Sequence, residues 1–180
     1  MQRYVGVLLG VLLWWMWGCW RPPRTDVQRI IDSVFQQVEY CSQFYIIDAN
    51  TLRDRIHRGR TNLATIDSTR MDAMYRSQLM QYRGILEIYR NFLKVYPSYE
   101  WDFHMLEQRA NRLAEAWHSE QLSGDSVYIR ARRLHVALDR HCKEIREWVR
   151  KIVEVEPLYN RLSDRVSQWV GDSLAQVERP

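Results

Sequence analysis

Five histidines are the first residues to test for chemistry. Glu115-Ala116-Trp117-His118 has the Glu-x-x-His spacing that turns both side chains to one helix face, as the di-iron carboxylate bundles require. Those sites need a second such pair and two further glutamates, and the sequence holds no second Glu-x-x-His. His141 is different. It falls on an apolar seam beside Cys142, where it reads as a satisfied, partly buried histidine, a ligand or a pH-sensitive element. His57, His104 and His135 have no metal-like neighbours in sequence. No Gly-x-Ser-x-Gly elbow, phosphate-binding glycine loop, Cys-x-x-Cys or haem motif appears. Acidic residues pair with arginines as solvated helix faces do, for example Glu144 and Glu147 near Arg140 and Arg150. No catalytic residue, metal or cofactor is implied, and the chain is expected not to be an enzyme.

The cysteines carry more. Arg3 is the only charge in the first twenty residues, and Tyr4 to Trp20 is an uncharged run with Met16-Trp17-Gly18-Cys19 near its end. A basic start, a short apolar stretch and a small residue before Cys make a secretory pattern. This N-terminus resembles the signal and lipobox of bacterial lipoproteins. The resemblance covers the first 19 residues. It implies a signal peptide over 1–18, cleavage before Cys19 and acylation of that cysteine. An uncleaved signal anchor and a buried N-terminal helix remain as alternatives. The latter is disfavoured because Trp14, Trp15, Trp17 and Trp20 leave the run no polar face. With Cys19 lipidated, Cys41 and Cys142 remain as a candidate disulfide in an oxidising compartment, or as two buried thiols.

Behind Cys19 lies a short tether, 19–25, with Arg21 and Arg24 in reach of lipid phosphates or simply solvated. A single domain over 26–180 follows, long enough for one proper core. The formal charge of +4 is mild, and no nucleic acid partner is expected. Seven glycines and five prolines in 180 residues suit long helices.

The expected fold is all-α: an antiparallel bundle of four long helices with heptad-like seams, plus a C-terminal helix after a kink or turn at Pro157. The first helix begins near Thr25-Asp26 and carries Val27, Ile31, Val34, Val38, Cys41 and Tyr45, with a shift near Asp48-Ala49-Asn50 where it either continues or breaks. Arg53, Arg55, Arg58 and Arg60 cluster toward its end, before and after Gly59. They read as C-terminal capping charges with Gly59 as the stop, or as anion contacts. The second helix is expected over 68–96, capped by Ser68 or Thr69 and ended by Pro97. Its Tyr75, Tyr82, Tyr89 and Tyr96 recur every seven residues, either as core or as the lining of a ligand groove. The third helix starts at Ser98, and Ser123-Gly124-Asp125 is the clearest turn in the chain. The fourth runs from Val127 through His141 to Val155. Laid out up and down, with the first helix rising from the membrane, this order puts Cys41 and Cys142 about 20 Å from the base. It also puts Pro157 at the base.

These features lead to a membrane-tethered structural or adaptor lipoprotein of the bacterial envelope, periplasm-facing, presenting helix faces to a protein partner. The alternative is a binding module that holds an apolar or amphipathic ligand such as lipid in an aromatic-lined interior. Heptad seams close equally well within one chain or between copies, so a homo-oligomer is left open.

Overall fold

The computed structural model describes residues 23–66 and 72–177. Four α-helices, with no strand among the described residues, make up the structure: α1 (Arg24–Ser42), α2 (Ala49–Thr65), α3 (Ala73–His118) and α4 (Gly124–Val177). The described residues fall into two compact units. Unit 1 comprises residues 23–39 with Met105–Asp139, and unit 2 comprises Tyr40–His104 with residues 140–177.

Unit 1 is built on the first seam. Val27, Ile31, Val34 and Val38 of α1 are buried, as are Ala110 and Leu113 of α3 and Val127, Ala131, Leu134 and Leu138 of α4. The steps of three and four put each set on one helical face, so three amphipathic stripes close on one another. The turn between α3 and α4 is a Schellman arrangement. Glu120 N–H donates to the Trp117 carbonyl and Gln121 N–H to that of Ala116, at 3.2 and 3.1 Å, with Glu120 at φ 55°. Ser123 then caps α4: its carbonyl accepts from Val127 N–H at 3.0 Å. Gly124 packs against Val27: a Cβ added there would lie 3.6 Å from a Val27 methyl. The turn therefore adjoins the start of α1, whereas an up-and-down bundle rising along α1 would put it at the far end.

Unit 2 holds the aromatic core. Tyr82, Tyr89 and Phe92 of α3 are fully buried, among Ile85, Ile145, Ile152 and Tyr159. Each such side chain contributes about 1.5–3 kcal/mol by leaving water. Tyr159 bridges two of the tyrosines, with ring centroids 5.7 Å from Tyr82 and 5.4 Å from Tyr89. Cys41 and Cys142 are joined in a disulfide with Cα atoms 5.2 Å apart.

Several expected boundaries differ. The first expected helix breaks just ahead of its seam shift and is two. α1 stops at Ser42, and Asp48 caps α2 by accepting from Asn50 N–H at 2.9 Å and from the Thr51 hydroxyl at 2.6 Å. α2 continues through Gly59 to Thr65. Arg53, Arg55 and Arg58 are thus mid-helix residues, not C-terminal caps. Gly59 is buried because α3 comes close: an added Cβ would sit 2.6 Å from a Leu86 methyl. Asp72 caps α3, accepting from Tyr75 N–H at 2.9 Å. Ser68 and Thr69 lie outside the described residues.

Pro97 and Pro157 end nothing. α3 runs unbroken through Pro97 and α4 through Pro157, so the separate C-terminal helix is not present. A helical proline removes one N–H donor and crowds the carbonyl four residues earlier. Both prolines are exposed, where water can take up the lost bond. Apolar burial resumes in phase beyond each, with Phe103 half-buried after Pro97 and Tyr159, Leu162 and Val166 buried after Pro157.

Candidate binding site

A concavity lies in unit 1, on the hairpin of α3 and α4. It is a half-open groove of about 370 Å³. Leu113 and Ala116 of α3, Leu122 of the turn and Leu134 and Ala137 of α4 form an apolar floor. The two alanines leave the depression that larger side chains would fill. Arg109 and Arg112 rim it from α3, and Arg130 and Arg133 from α4. Arg112 donates to the Gln108 side-chain carbonyl at 3.0 Å. Among the described residues no carboxylate is paired with any of the four.

The hairpin explains the clustering. The arginines lie nine and twelve residues on either side of Gln121. Antiparallel helices joined by a short turn bring such equidistant residues opposite one another. The spacing of three within each helix then puts both of its arginines on one face. That signal was present in the sequence and went unread, because arginines 109 to 133 look like ordinary solvated positions until the turn is known to fold them together.

The groove adjoins the start of α1. Leu122 also lines a neighbouring depression with Arg24 and Trp117. Arg24 lies over the Trp117 ring at 5.6 Å and 3.9 Å from the Glu120 carboxylate, both charges well exposed. Trp117 donates its indole N–H to Gln28 at 3.2 Å.

The other anticipated contacts are dispersed. Cys19 and Arg21 lie outside the described residues. On α2, Arg53 is exposed and donates to the Asn50 side chain at 2.7 Å, while Arg58 and Arg60 are exposed. Arg55 turns inward, to Glu156 at 2.6 Å and over the Tyr159 ring at 5.0 Å. Tyr89 donates its hydroxyl to the same Glu156 oxygen at 3.0 Å. Burial opposes the Arg55 charge, but Glu156 outweighs it and holds the guanidinium pKa above its ordinary value. Burial, reinforced by Glu156, raises the Tyr89 phenol.

A second polar cluster in unit 2 surrounds His141, which is buried beside the disulfide. The Tyr45 hydroxyl is 2.5 Å from His141 Nε2 and donates to the Tyr99 carbonyl at 2.9 Å. A carbonyl only accepts, so satisfying both contacts assigns the proton between the rings to His141 Nε2. Phe103 stacks on Tyr45 at 4.9 Å. Burial holds the His141 pKa below the usual histidine value, with Asp102 and Glu144 pulling weakly the other way. The break at 43–48 is what frees Tyr45 to reach this position.

Glu115 and His118 are both exposed on α3. Among the described residues no group of three or more metal-ligating side chains converges, and no helix is long and apolar enough to cross a membrane. The tyrosine stripe does not line a groove at Tyr82 and Tyr89, which are packed shut, and Tyr75 meets Trp169 edge-on at 4.9 Å. No protein-family model, curated protein or solved structure matches this chain at a significant level.

Proposed function

We propose that this chain is a non-catalytic, lipid-anchored binding protein of the bacterial envelope. Cys19 is its acylated residue, and the groove of unit 1 is its contact site for an apolar or amphipathic ligand. The observation that carries the reading is the groove itself: four arginines, without carboxylate partners among the described residues, around an apolar floor. A solvated surface spreads its arginines among acids, as α4 does with Arg150 between Glu147 and Glu154. The tether supports the same reading. Pro23 lies only four positions after Cys19, a span of at most about 14 Å, and the groove adjoins the helix that begins there.

The adaptor reading stands second, on one observation. Met80 and Trp101 lie 21 residues apart on the outer face of α3 and are 72% and 65% exposed. Three heptads of separation align them on one stripe that a protein partner could cover.

Envelope fractionation of the native protein and Cys19→Ala tests the anchor. Acylation predicts an intact mass increased by the lipid in the native protein alone, and loss of membrane association in the variant. Equal membrane binding with no mass difference would replace the lipid anchor by a signal anchor. Crosslinking from intact envelopes tests the contact site, with capture through residues 109–137 expected over capture through the Met80 and Trp101 face.

A further inference from the structure

We infer that the groove of unit 1 holds an anionic phospholipid of the membrane to which the chain is tethered, with an acyl segment on the apolar floor and the phosphate among the arginines. This rests on the binding-site reading above and names the ligand. Three features select it. First, the floor is apolar and the rim is cationic from both helices, which demands an occupant with an apolar body and a negative head. Second, about 370 Å³ lies near the lower end of the range for small-molecule sites. That space suits one chain segment better than the face of a partner helix. Third, arginine is the cation suited to phosphate: its planar fork meets two oxygens at once. Arg112 and Arg130, equidistant from Gln121, both line the groove, one from each helix of the hairpin.

The surface beside the groove fits the same occupant. At about 100° per residue, Ile129 and Val136 lie within about 60° of Arg133 around α4. They are 51% and 55% exposed. An apolar pair next to a phosphate-binding arginine is how an interfacial helix meets a bilayer. Removing an arginine from such a contact weakens association about fivefold at an anionic surface.

The test places a benzophenone amino acid at Ile129, beside but outside the groove, in the full-length chain in intact envelopes. A second probe at Met80 of unit 2 serves as control. After irradiation, mass spectrometry of the crosslinked peptides identifies what was captured. The expected result is a phospholipid adduct at Ile129, enriched in anionic head groups relative to the bulk membrane and relative to Met80. Arg130→Gln with Arg133→Gln should reduce the anionic adduct about 25-fold, with helical content retained. A protein captured at Ile129 in place of lipid overturns the lipid assignment while leaving the groove as a contact site. Lipid captured in bulk proportions, or unchanged by the double variant, overturns the assignment as well. No capture at all removes both the assignment and the groove's role. The intact mass at Cys19, read in the same samples, reports on the anchor separately.

Discussion

Replacing Glu156 by alanine should be among the more costly single changes in unit 2, and its cost divides into two measurable parts. The Arg55 side chain is 20% exposed and that of Glu156 32%. Solvent therefore screens the pair. Its loss costs about 1–2 kcal/mol, between an exposed pair and the roughly 3–5 kcal/mol of a fully buried one. Tyr89 has no exposure at all. Its hydroxyl, stripped of its acceptor, adds about 1–3 kcal/mol. The sum is about 2–5 kcal/mol, or a melting temperature lower by roughly 5–15 °C for a chain of this size. Glu156→Gln keeps an acceptor for Tyr89 and loses only the charge, so it should cost about 1–2 kcal/mol. Tyr89→Phe added to Glu156→Ala should recover about 1 kcal/mol or more, because the stranded hydroxyl is gone. Urea unfolding of the oxidised full-length protein, followed by circular dichroism, gives all three values from midpoints at a common slope. Equal midpoints for Glu156→Ala and Glu156→Gln would refute the role given to Tyr89. So would a further loss on adding Tyr89→Phe.

Four other outcomes are expected. Reducing the Cys41–Cys142 bond, which closes a separation of 101 residues, should lower stability by up to about 4.7 kcal/mol. Identical urea midpoints with and without reductant would contradict this. Gly59→Ala should destabilise by about 1–3 kcal/mol despite alanine's better helix propensity, because the new methyl meets Leu86; a raised midpoint would show that α2 simply moves away. Glu120→Gly should stabilise by about 1 kcal/mol, since φ 55° suits glycine and the Arg24 contact at 3.9 Å is exposed; no gain in melting temperature would count against the turn geometry. Burial lowers the His141 pKa, so the unfolded chain binds the proton first as pH falls below about 6.5. Stability should therefore rise with pH from about 5 to 7, and His141→Gln should flatten that part of the profile; an unchanged slope in the variant would assign it elsewhere.

The seams were legible in the sequence because period and burial are the same fact. Val27, Ile31, Val34, Val38 and Cys41 recur at helical spacing and lie on the inner face of α1. Helix ends were less so. A proline or glycine marks a boundary only where the surroundings allow it. Pro97 and Pro157 face water, and Gly59 faces Leu86. None of those neighbours is visible in the local sequence. The up-and-down layout ran the first and fourth helices in opposite directions, whereas α1 and α4 both begin at the Val27–Gly124 contact. The groove needed the hairpin pairing of residues 109–112 with 130–133, and a heptad search along one helix at a time does not look for that.

The disulfide also decides what happens to this chain under proteolysis. The turn at 119–123 is short, exposed over much of its length and built around a strained Glu120, so it is a natural place for a protease to cut. A cut there would part α4 from α1, α2 and α3 in sequence. Cys41 and Cys142 sit on opposite sides of the cut. The two fragments would remain one covalent molecule, and the C-terminal piece would stay attached to whatever holds the N-terminal one until a reductant released it.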